Sequence, residues 1–134
     1  MIAVFVTGIC FLTAADAACA DFLAKLQKKP AHLEYLSCKQ HSGSEGDSWT
    51  AEYRVAGTYA AGVEDYLVKN FKLPRLKKSC CQWDGPAADY TRGGAHYEIT
   101  MTSDEDSPAA VTTRRSDWGK LPYFHVMVQY YAPE

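Results

Sequence analysis

Long apolar runs are scarce in this 134-residue chain. The longest, residues 2–12, falls well short of the ~20 apolar residues a helix needs to cross a bilayer. Excess charge of one sign is also missing: 14 Lys and Arg against 16 Asp and Glu leave a formal net charge of −2. Bulk charge therefore points to neither nucleic acid nor an anionic membrane as a partner. Histidine is sparse, and none of His32, His41, His96 and His125 stands in an H-x-x-x-H or H-x-x-E arrangement. The serine-hydrolase spacings G-x-S-x-G and S-x-x-K are absent. Gly93-Gly94 lacks the following Lys of a phosphate loop, and Asp104-Glu105-Asp106 lacks the spaced ligands and glycine of a calcium loop. Without a C-x-x-C pair, the thiols do not read as a zinc site. These absences predict a non-enzymatic chain with no cofactor and no metal.

The apolar run is followed by Ala15-Asp16-Ala17, the small-x-small form that signal peptidases read. The expected organisation is a signal peptide over residues 1–17 and one domain over 18–134, periplasmic or secreted, without a stable membrane anchor after cleavage. Loss of Asp16 with the leader moves the net charge from −2 to −1. Cleavage also removes Cys10 and leaves Cys19, Cys38, Cys80 and Cys81, an even number that favours two disulfides in an oxidising compartment. Four cysteines allow three pairings. If Cys80 and Cys81 lie on a strand they point to opposite faces, which favours Cys19 with Cys81 and Cys38 with Cys80.

Periodicity places the elements. Cys19, Phe22, Leu23 and Leu26 recur at helical spacing before Pro30. Residues 32–40 read as a strand, 41–48 as a Ser- and Gly-rich loop, and 49–55 as a strand alternating Trp49, Ala51, Tyr53 and Val55 with polar residues. A second helix is marked by Val63, Tyr66, Leu67, Asn70 and Phe71 and closed by Pro74. Strands are expected at 79–83, 97–102 and 124–130, the last two separated by a long linker, residues 103–122. The fold class that follows is α+β, in the order α-β-β-α-β-β-β. An antiparallel sheet of about five strands would carry both helices on one face.

The linker supplies the candidate site. Asp104, Glu105 and Asp106 form an acidic cluster, and Arg114, Arg115 and Trp118 follow in the same connection. Trp and Arg are enriched where one protein grips another, so these six are the candidate partner-binding residues. The bland alternatives are a solvated acidic turn and a Trp118 folded back over the sheet as a staple.

The mature chain resembles an uncharacterised family of small periplasmic proteins of Gram-negative bacteria. The resemblance lies in Cys19-Ala20-Asp21-Phe22, residues 29–38, Ala51-Glu52-Tyr53-Arg54-Val55 and Cys80-Cys81-Gln82-Trp83. It implies export and a binding role, as in an immunity protein against a toxin delivered to the periplasm, and brings no catalytic motif. Two other readings stand beside it. One is an envelope or small-ligand binding domain with a pocket lined by Tyr and Trp. The other is a hydrolase built around His96, His125 and nearby carboxylates. The expected partner is another protein, a periplasmic effector or toxin.

Export predicts that N-terminal sequencing of protein recovered from the periplasm begins at Ala18 or within a few residues of it; intact Met1 in a cytoplasmic fraction would remove the expectation.

Overall fold

Alternation of inward apolar and outward polar residues along its central strands marks one five-stranded antiparallel sheet. The computed structural model describes residues 19–44 and 46–133; the expected leader lies outside them. The strands are β1 (Glu34–Gly43), β2 (Gly46–Ala56), β5 (Ala88–Arg92), β6 (Ala95–Ser103) and β7 (Tyr123–Tyr131), in the order β1-β2-β7-β6-β5. Register brings Ala51, Val128, Ile99 and Ala88 into one row and Tyr53, Val126 and Met101 into the next. All of these are buried. Because side chains alternate with period two, the neighbouring rows carry the other face: Arg54, His125 and Thr102, then Glu52, Met127 and Thr100, then Thr50, Gln129 and Glu98. A one-residue slip in any pairing would exchange the two faces, so the apolar rows fix the register.

The chain also forms two α-helices of unequal length. α1 (Phe22–Lys25) is a single turn, and α2 (Ala60–Phe71) spans three. The Asp21 carboxylate caps α1 by accepting from the Ala24 N–H. Leu26 and Gln27 end it, Gln27 at a positive φ of 59°. The expected first helix thus shrinks to one turn well before Pro30. In α2 the buried Ala60, Val63, Leu67 and Phe71 follow helical spacing. Lys72 closes the helix in the left-handed region, with its N–H on the Val68 carbonyl and that of Leu73 on Leu67.

Several expected boundaries move. Of the residues read as a loop, 41–43 and 46–48 are strand: β1 and β2 stay paired to Gly43↔Gly46. Ladder bonds are made by backbone, and residues 41–43, 46 and 47 of the hairpin end are exposed, so polar residues suffice there. β5 was not expected. It enters through Gly93-Gly94, whose φ values of 61° and 83° supply the two left-handed residues of a tight hairpin. The strand expected at 79–83 is instead a ribbon of β3 (Lys77–Ser79) and β4 (Gln82–Asp84), turning at Cys80-Cys81 with Ser79 paired to Gln82.

That turn corrects the disulfide pairing. Cys80 and Cys81 are bonded to each other, and Cys19 to Cys38, rather than Cys19 to Cys81 and Cys38 to Cys80. The two neighbours do not alternate across a strand; they form the hairpin tip, with Cys80 at φ 49°. Cys19, just before α1, lies with its Cα 5.7 Å from that of Cys38 on β1, within ordinary bridging range. Peptide mapping of unreduced protein is expected to show Cys19–Cys38 as a cross-link between distant peptides, with no thiol open to alkylation after denaturation once residues 1–17, and Cys10 with them, are cleaved. Replacing both Cys19 and Cys38 by Ala should cost about 3 kcal/mol in a denaturant titration, given the 19-residue separation.

Candidate functional site

The connection 103–122 is built down onto the core at three places. The first is Glu64, on the buried side of α2 and only 1% exposed. Its Oε2 accepts from the Leu76 N–H at 2.8 Å, and its Oε1 from Arg75 at 3.0 Å and from Arg115. Arg115 also donates to the Leu76 carbonyl at 2.7 Å, and its guanidinium lies 4.9 Å from the Trp118 ring centroid. Trp118 is 2% exposed and packs against Phe124 at 4.6 Å and edge-on to Trp83 at 5.3 Å.

The second fastening is the 3-10 turn Arg115–Lys120 itself. The Asp117 carboxylate accepts from the N–H groups of Thr113 and Arg114, and these bonds, that of Thr113 foremost, hold its pKa below the usual range. Gly57 lets the turn dock: a Cβ there would stand 2.2 Å from the Leu121 carbonyl oxygen and 2.3 Å from that of Trp118. Only a residue without a side chain permits that approach.

The third joins the loop to the ribbon. Lys78 on β3 pairs with Asp106 and donates to the Thr112 carbonyl and hydroxyl. The Thr112 hydroxyl donates to Asp106 at 2.7 Å and accepts from the Trp83 indole at 3.1 Å. The Lys78 ammonium, with Thr112, lowers the Asp106 pKa. Nearby, Asp104 accepts from the Tyr123 N–H and lies 2.8 Å from His125 Nε2.

The six candidate residues therefore separate. Glu105 and Arg114 are exposed and available to a partner. Asp104 and Asp106 are held by His125 and Lys78, and Arg115 by Glu64. Trp118 is the staple beneath the loop and offers no surface for an anchor, because it fills the space between Trp83 and Phe124. Sequence reasoning passed over Val111, which stands 56% exposed beside the buried Thr112. Its signal was an apolar residue inside an otherwise polar connection. Glu105 faces the tip of the ribbon and, with Ser79, Cys80, Cys81 and Gln82, lines a shallow cleft of about 190 Å³. The Asp106 N–H, bonded to the Cys81 carbonyl at 2.6 Å, holds loop and tip side by side.

His96 and His125 are not brought together. Both lie on the outward face, but His125 pairs with Thr102 and Tyr131 with His96, six residues apart along β6 and hence about 20 Å. Trp49, Tyr130, Tyr97 and Tyr90 pack as one aromatic row, with Phe22 against Tyr97 and Tyr130. A cleft of about 400 Å³ lies elsewhere, along α2, where His32 stacks on Tyr59 at 3.7 Å and Tyr66 forms the far wall.

The model of a family described as a domain of unknown function (DUF4952) matches residues 11–83, more than half of the chain. The chain belongs to this family. The DUF4952 match takes in the Cys19–Cys38 bridge, the first hairpin, α2 and the ribbon through Trp83, and the loop 103–122 lies beyond it. No curated protein and no solved structure matches the chain.

The docking geometry predicts that Trp118→Ala lowers stability by about 3–5 kcal/mol and that Gly57→Ala destabilises as well, both read by thermal or chemical melts. Arg114→Ala and Glu105→Ala should leave the midpoint within about 0.5 kcal/mol of the parent.

Proposed function

We propose that this chain is a non-enzymatic protein-binding domain of the periplasm. In this reading it is an inhibitor or immunity protein that occludes a toxin acting on peptidoglycan. The observation that carries the reading is the exposed surface of a loop already fastened to its scaffold: Glu105, Val111 and Arg114 project where Asp106, Arg115 and Trp118 are held from below. A pre-ordered protrusion spends little further entropy on association, and an apolar tip flanked by charges suits a contact with a hydrophobic centre and a polar rim. The Cys19–Cys38 bridge supports an oxidising compartment, and among the described residues no helix is long and apolar enough to cross a membrane.

A second reading rests on the cleft lined by Pro30, His32, Tyr59 and Tyr66, which has the size and aromatic character of a small-ligand site.

One experiment separates the two. Secreted and periplasmic fractions are passed over the immobilised protein, the retained protein is assayed for peptidoglycan hydrolysis, and soluble wild type is titrated as inhibitor. The expected result is saturating inhibition near one equivalent, weakened about tenfold or more by the double variant Glu105→Lys, Val111→Asp with its melting temperature unchanged. Equal inhibition by that variant would take the loop out of the interface, and no inhibition by wild type would end the inhibitor reading. Loss of binding only in Tyr59→Ala would favour the cleft.

A further inference from the structure

The outward face carries a donor set that neither the loop nor the cleft uses. Asp89 on β5 pairs directly with Glu98 on β6, and His96 lies two residues before Glu98 on the same face. Their ligand atoms, one per residue, all lie within 4.8 Å of one another. His96 Nε2 stands 3.3 Å from Asp89 Oδ1. Two donors at the ~2.0–2.1 Å bond lengths of tetrahedral zinc are about 3.3 Å apart, so this pair already has the separation of one edge of such a site. The Tyr131 hydroxyl, 3.1 Å from Glu98 Oε1, donates to the carboxylate and orients it as an outer-shell partner does. The Tyr131 ring also lies against His96, with centroids 5.6 Å apart.

We propose that Asp89, His96 and Glu98 bind a divalent first-row transition ion, with Zn2+ the best fit. One imidazole and two carboxylates suit zinc better than magnesium or calcium, which take oxygen donors in larger number. Asp89 is 71% exposed as a side chain, which leaves room for a rotamer change to close the third distance. Three protein ligands on an open sheet face leave the fourth tetrahedral position to water or to a donor from outside, the arrangement of an accessible rather than a sealed site. The inference goes against the sequence expectation of no metal. The signal lay in His96-Tyr97-Glu98: H-x-E on a strand places both donors on one face, whereas the spacings searched were those of helices and thiol knuckles.

The test titrates tag-free, chelator-treated protein with ZnCl2 by calorimetry and by competition with a chromophoric chelator, alongside MgCl2. One equivalent of Zn2+ should bind, with Mg2+ binding far more weakly. His96→Ala and Glu98→Gln should each weaken Zn2+ about tenfold or more, Tyr131→Phe less, and His41→Ala not at all. All these positions are at least partly exposed, so circular dichroism is expected to show the fold retained. Failure of wild type to bind Zn2+ at tens of micromolar would overturn the assignment. So would unchanged affinity in His96→Ala, which would leave Asp89 and His96 an ordinary cross-strand ion pair.

Discussion

Glu64 occupies a position where an unpaired carboxylate would cost several kcal/mol, and much of the architecture around it exists to supply its donors. They come from two stretches of chain far apart in sequence: Arg75 and the Leu76 N–H from the segment after α2, and Arg115 from the long connection between β6 and β7. With Arg115 drawn to Glu64, its guanidinium comes over both Trp118 and Trp83, which places the edge-on indole pair. Trp83 in turn gives its indole N–H to the Thr112 hydroxyl, which also accepts from Lys78 and donates to Asp106. One buried charge on a helix thus sets the position of the ribbon and of the loop. The arrangement is not free of cost: the Trp118 indole N–H finds no acceptor among the described residues.

A second polar cluster does the same at the other end of the sheet. Asp21 accepts from the Tyr53 hydroxyl at 2.7 Å and from Lys29 at 2.6 Å, while that hydroxyl accepts from the Leu23 N–H. Burial alone would raise the Asp21 pKa, but the bonds from Lys29, Tyr53 and Ala24 outweigh it and lower it. The phenol of Tyr53 moves the opposite way, raised by its burial and by the facing carboxylate. Together with the Cys19–Cys38 bridge, this cluster ties the single turn of α1 to the sheet, a turn far too short to hold itself in water. Cys19, Asp21 and Tyr53, the parts of this joint, all fall within the residues that the DUF4952 model matches.

What could be read from the sequence followed from periodicity. β2, β6 and β7 alternate cleanly because one face is buried along most of their length, and α2 carries an apolar stripe for the same reason. The features that escaped depend on contacts distant in sequence. Glu64, next to Val63 in the helix, looks like a solvent-facing residue until Arg115 is seen fifty-one positions away. Trp118 in a polar loop has the composition of an interface anchor, and only the space between Trp83 and Phe124 shows it to be core. Cys80-Cys81 was misread because a strand was assumed where the chain turns.

The loop bears on function through the contrast between its two sides. A connection of this length left unanchored would lose much of its binding energy to ordering on contact, at roughly 0.5–1.5 kcal/mol for each immobilised side chain. Here the inward side is ordered in the free protein, by Asp104 on Tyr123 and His125, Asp106 on Lys78, and Asp117 on its own turn. Four of the six charged or aromatic residues that made the loop look like an interface are used for that purpose. In the proposed reading, recognition is then left to the exposed residues of the connection, Glu105, Val111 and Arg114. In that reading a surface so small calls for a partner shaped to enclose it, and a concave cleft on another protein meets that requirement better than a flat face does.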